Sequence, residues 1–98
     1  MVIKMTDYLI YFRDGTAYRD IYPDVRSARK NAVKLIKSGM NVHRIVPITK
    51  GTRNGKAQYI DSRKLRNGMY SFSIEIWNPK RGHYSLHALY EDGTISKY

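Results

Sequence analysis

His83 and His87 stand four residues apart in WNPKRGHYSLHALY (77–90), beside Trp77 and the basic turn residues Lys80 and Arg81. Two imidazoles and a nearby carboxylate, Glu75, are donor types for a divalent metal, and a His–Glu pair can move protons near neutral pH. Which chemistry is open to them depends on the strands that carry them. Alternation in MYSFSIEIW (69–77) puts Tyr70, Phe72, Ile74 and Ile76 on one face and Ser71, Ser73, Glu75 and Trp77 on the other. Matching this apolar set to that of HYSLHALYE (83–91) through a five-residue loop, 78–82, pairs Trp77 with His83, Glu75 with Ser85 and Ser73 with His87. Both histidines are then expected on the polar face, with Glu75 diagonal to each. Four residues of strand separate the two rings by about 13 Å, too far to share one ion, so no metal site is expected. Three readings remain: proton transfer by one histidine with Glu75, a polar face without chemistry, or a contact surface on which Trp77, His83, His87 and Tyr59 stack against bases or a partner.

The second chemical signal is charge. The chain carries 18 Lys and Arg against 8 Asp and Glu, a formal +10. The excess is segregated: from Val25 to Ile60 there are basic residues and no acid, whereas the first 24 residues hold more acids than bases. Segregated charge makes a field that attracts polyanions, although a plain solvated surface has the same composition. Arg26, Arg29, Lys30, Lys34 and Lys37 lie on one helical segment. Cations in a helix's first turn oppose the helix dipole, which suggests that the charge has a use. Arg53, Lys56, Arg63, Lys64, Arg66, Lys80 and Arg81 lie in segments rich in Gly, Asn and Ser, suited to phosphate contact.

These residues are positioned by few elements. YLIYFRDGTAYRDIY (8–22) reads as a hairpin turning at Asp14-Gly15. PDVRSARKNAVKLIKSG (23–39) is the one convincing helix, with Val25, Ala28, Ala32, Leu35 and Ile36 as its apolar stripe, Asp24 or Ser27 as N-cap and Gly39 as its stop. NVHRIVPI (41–48) reads as a strand, with Pro47 suggesting an edge. A basic loop (49–58), a short strand near Tyr59, a second basic loop (61–68) and the two strands above follow, before Asp92-Gly93 turns into TISKY. The expected fold is α+β over one domain, 1–98: one antiparallel β-sheet of about six to seven short strands, β-β-α-β then a β-meander, with a single amphipathic helix packed on one face. An open edge near Pro47 or TISKY would allow a homodimer by strand addition.

Cysteine is absent, which excludes disulfides and thiolate sites, and no apolar run has the length of a signal peptide or a membrane span; a cytoplasmic location is expected. No phosphate-binding loop, dinucleotide fingerprint, zinc-protease helix or nucleophile elbow occurs. An enzyme would rest on His43, His83, His87, the tyrosines and the cations. KLRNGMYSFSIEIWNPKRGHYSLHALY (64–90), about a quarter of the chain, loosely resembles the closing meander of RelE-type toxin ribonucleases, which combine basic residues, His and Tyr. The N-terminal half departs from that family, with a hairpin where two helices would stand, so no catalytic residue is carried over. The expectation is a small, basic, non-enzymatic module without cofactor that engages nucleic acid or a ribonucleoprotein complex. The alternatives are a phage-like, anti-CRISPR-type inhibitor of a host defence nuclease acting through protein contact, and a metal-free toxin-like ribonuclease.

Overall fold

A computed structural model describes residues 6–61 and 71–97. Its elements are β1 (Asp7–Phe12), β2 (Ala17–Tyr22), α1 (Val25–Lys37), β3 (Val42–Thr49), β4 (Thr52–Arg53), β5 (Gln58–Asp61), β6 (Ser71–Asn78) and β7 (His83–Tyr90). The strands form one antiparallel sheet in the order β2-β1-β3-β5-β6-β7, with β4 paired to the far end of β3. This is the expected α+β arrangement, and α1 covers one face.

Local chemistry explains the elements that were legible. Asp24 caps α1 by accepting from Ser27 N at 2.7 Å, and Gly39, at φ +96°, ends it. Gly39 N bonds Ile36 O and Met40 N bonds Leu35 O, both at 3.0 Å, which satisfies carbonyls the helix leaves open. Asp14-Gly15 and Asp92-Gly93 make the same turn: the aspartate accepts from the amide and hydroxyl of the threonine two residues on, while glycine takes the positive φ. Only the glycine is left-handed, so each is a three-residue turn with a bulge rather than the two-residue turn expected. The β3–β4 turn is of that two-residue type, with Lys50 at φ 52° and Gly51 at φ 79°.

Between α1 and the sheet, Ala28, Ala32 and Val33 pack on Ile10, Val42, Ile45, Ile60, Ile74 and Leu89. Each large aliphatic side chain fully buried here contributes about 1.5–3 kcal/mol. The turn at Gly93 docks under the first turn of the helix, where Arg26 donates to Asp92 O at 3.2 Å and pairs with its carboxylate at 3.8 Å. Lys37 pairs with Glu91 at the other end of the helix. Ile95 bridges Leu89 and Ser96 N bonds Ala88 O, so the segment after the turn lies along β7.

Two expectations are corrected. Pro47 is not at a sheet edge, because β3 lies between β1 and the β4 and β5 strands. Its carbonyl accepts from Asn54 N at 3.1 Å, and its missing N–H falls on the same side, in the gap between the β5 pairing, which reaches Ile45, and the β4 pairing, which begins at Ile48. The β6–β7 register also differs by one residue: Trp77 faces Tyr84, Glu75 faces Leu86 and Ile74 faces His87. Asn78 sets this turn, its side chain accepting from Lys80 N at 3.0 Å and its carbonyl from Gly82 N at 2.9 Å, with Gly82 at φ 70°. A one-residue slip turns every β7 side chain to the other face. Leu89 and Ser85 are therefore buried beneath the helix layer, and Leu86 is 66% exposed on the open face.

Candidate functional site

The open face of the sheet gathers the polar and aromatic side chains. Register places Tyr11, Arg44, Tyr59, Glu75 and Leu86 in one transverse row across β1, β3, β5, β6 and β7. The Arg44 guanidinium lies over the Tyr11 ring, 4.6 Å from its centre. Tyr59 and Tyr84 meet edge to face across β6 at 5.5 Å, and Tyr84 meets Trp77 in the same way at 5.3 Å. Lys56 Nζ sits 4.8 Å from the Trp77 ring centre. Each edge-to-face pair contributes about 0.5–1.5 kcal/mol beyond burial, so the ladder is a built surface rather than loose side chains.

A bulge adds His43. Tyr11 pairs with Arg44 but Phe12 pairs with Val42, so His43 is the extra residue and stands on the open face beside Arg44, tilted 5.6 Å from Tyr59. Its Nδ1 is 3.0 Å from the Arg44 guanidinium. Burial, then the charges of Arg44 and Arg13, hold its pKa below the ordinary value. Desolvation raises the Tyr84 pKa, with Tyr59 adding to the rise and Arg53 opposing it, which keeps the phenol protonated at neutral pH.

Loop 49–57 folds over one half of this face. Ala57 is fully buried on Val46 and Ile48, with Leu9, Tyr11 and Tyr59 around them. The loop thereby brings Lys56 to Trp77 and Arg53 within electrostatic reach of Tyr84. Beside it a cavity of 360 Å³ opens between Arg13 and His43 on one side and Asp61 and Glu75 on the other, with Tyr59 and Leu86 in its walls.

The sequence-derived candidates divide accordingly. Trp77, Tyr59, Lys56 and Arg53 meet on the open face, and Lys80 and Arg81 occupy the turn just beyond the Trp77–Tyr84 pair. His83 and His87 do not join them: their expected polar-face position beside Glu75 is overturned by the register, which puts both on the helix side. His87 Nδ1 donates to Ser96 O at 2.7 Å and His83 Nδ1 to Tyr84 O at 2.9 Å, so both rings hold backbone. On α1, Arg29 is half-buried and donates to Gln58 Oε1 at 3.0 Å, and burial lowers its pKa. Arg26 and Lys37 are held by Asp92 and Glu91, which leaves exposed Lys30 and Lys34 as the helix cations with neither an ion pair nor a side-chain hydrogen bond among the described residues. Arg63, Lys64 and Arg66 lie outside the described residues.

The sequence singles out none of Tyr11, Arg13 and Arg44 for binding, names His43 only as a residue an enzyme would need, and places Tyr84 with the core-facing set of its strand. One signal for the bulge was present: Val42 and Ile45, both core, are three apart with two polar residues between them, which a regular alternation forbids. Among the described residues no helix is long and apolar enough to cross a membrane. Comparison with protein-family models, curated proteins and solved structures finds no match to this chain.

Proposed function

We propose that the protein is a non-enzymatic module that binds nucleic acid, alone or within a ribonucleoprotein complex, on the open face of its sheet. The observation that carries this reading is the Tyr59–Tyr84–Trp77 ladder bordered by Arg13, Arg44, Arg53 and Lys56. Aromatic rings offer stacking partners to any base, and cations around them take the phosphates. The ladder suits unpaired bases, because rings fixed on a sheet reach a base only when it is unstacked from its neighbours. The cations of α1 are the weaker candidate, since Arg26, Arg29 and Lys37 are engaged within the fold.

Fluorescence anisotropy with short single- and double-stranded RNA and DNA, across a salt series and with heparin as competitor, tests the reading. Single strands are expected to bind tightest, and log Kd against log salt to have a slope of roughly 2–3 if three or four cations meet phosphates. Lys56→Glu is expected to weaken binding about tenfold or more, and Lys30→Glu with Lys34→Glu less than about threefold. The opposite ranking returns the site to the helix. No binding at about 50 mM salt refutes the proposal, and would favour the protein-inhibitor reading, for which the exposed Leu86 is the natural anchor.

A further inference from the structure

The walls of the open-face cavity have opposite hydrogen-bonding character. Arg13 and His43 stand on the β1–β3 side, Asp61 and Glu75 on the β5–β6 side, with the Tyr59 ring between them. A guanidinium has only N–H groups to offer, so the His43 Nδ1 that meets Arg44 must accept. The ring is then neutral with its proton on Nε2, so His43 lines the cavity with one N–H to offer. Strands β3 and β6 are two spacings, about 10 Å, apart. A flat heterocycle between them can meet donors along one edge and a carboxylate along another. A phosphate is better placed beside Arg44, Arg53 and Lys56 outside the cavity than against the Glu75 carboxylate within it.

We infer that this cavity is a nucleobase pocket selective for guanine, with the Glu75 carboxylate accepting from N1–H and N2–H and with Arg13 and His43 Nε2–H donating to O6 and N7. Guanine is the standard base with two adjacent donors on its Watson–Crick edge, so it alone occupies both oxygens of a carboxylate. Adenine turns the N1 lone pair toward one of those oxygens. Cytosine and uracil bring a single donor group. Glu75 is the reading residue rather than Asp61, because it shares a row with Tyr59, the ring on which the base would stack. This inference rests on the nucleic-acid reading and names the base that the same face selects.

The test uses the full chain and labelled single-stranded hexanucleotides of uridine carrying one central guanosine, adenosine, cytidine or inosine. The guanosine strand is expected to bind at least about fivefold tighter than the adenosine and cytidine strands, the discrimination of one good bidentate contact. Inosine, which lacks the N2 amino group, is expected to fall between them. Glu75→Gln is expected to abolish the guanosine preference while binding of the all-uridine strand persists; removing a negative charge does not weaken phosphate contact. Equal affinity for all strands overturns the pocket and leaves the nucleic-acid reading standing. Failure of every strand to bind overturns both. A guanosine preference that survives Glu75→Gln overturns the assignment of Glu75.

Discussion

Replacing Gly93 by alanine probes the contact on which the helix seat depends. Gly93 and Gly15 occupy equivalent places in the two Asp-Gly turns, at φ +85° and +90°. A side chain in that region costs about 1–2 kcal/mol, and this part of the penalty is common to both positions. The surroundings are not common. A Cβ on Gly15 meets nothing within 4 Å, whereas one on Gly93 would lie 2.3 Å from Arg26 O and 3.1 Å from Lys30 N. Those atoms are helix backbone and cannot swing aside as a side-chain tip can, so the first turn of α1 or the β7 turn must move, at a further cost of about 1–3 kcal/mol. Gly15→Ala is therefore expected to destabilise by about 1–2 kcal/mol and Gly93→Ala by about 2–5 kcal/mol. Urea unfolding followed by circular dichroism at 222 nm gives both values, and in thermal melts each kcal/mol is about 4–8 °C in a domain of this size. Equal losses for the two variants would show that the Asp92-Gly93 turn does not seat against the helix, and would refute this account of how α1 is held.

Further outcomes follow from other positions. Lys50 is the one described residue other than glycine at positive φ, in a two-residue turn that favours Asn-Gly, so Lys50→Asn is expected to stabilise by about 0.5–1 kcal/mol in the same urea assay. Trp77→Leu keeps apolar bulk but removes a stacking surface, and is expected to raise Kd for single strands about five- to hundredfold with little change in salt slope. Arg29→Ala breaks the bond to Gln58 and is expected to cost about 1–3 kcal/mol, against less than about 0.5 kcal/mol for exposed Lys30→Ala. His43 has a folded pKa below its ordinary 6.5, so the unfolded chain takes up its proton first. Its contribution to stability is present above that value and is lost as pH falls through the folded pKa. The urea midpoint of the wild type is expected to drop more between pH 7.5 and 5.5 than that of His43→Gln; equal drops would show that His43 is not the group responsible.

What the sequence made legible was local. The Asp24 cap, the Gly39 stop and the Asp-Gly turns are decided by side chains within a few residues of the backbone they serve, and each formed where expected. The face assignment of β7 was not legible. Tyr84, Leu86, Ala88 and Tyr90 make the more apolar alternating set, yet the fold buries Leu89 and Ser85 instead, because the Asn78 turn fixes the register and the C-terminal segment covers that side. Arg29 reads as a first-turn cation open to phosphate because Gln58, its partner, is 29 positions away. Much of the site fell in the same blind spot: the Tyr59–Tyr84 and Lys56–Trp77 contacts join residues that only the sheet order brings together.

The seat of the helix also has a consequence for synthesis. A ribosome delivers β1, β2 and α1 early, but Arg26 and Lys37 find their partners only when Glu91 and Asp92 emerge. The same late stretch supplies Gly93 under the helix and Ile95 against Leu89. A chain halted before Glu91 therefore holds a capped helix lacking its far-end clasp, with Ala28, Ala32 and Val33 less well covered and open to proteases. The stretch from Glu91 to Ile95 thus acts as a latch: it ties both ends of α1 to the strand that leaves the ribosome after it and closes the layer between helix and sheet.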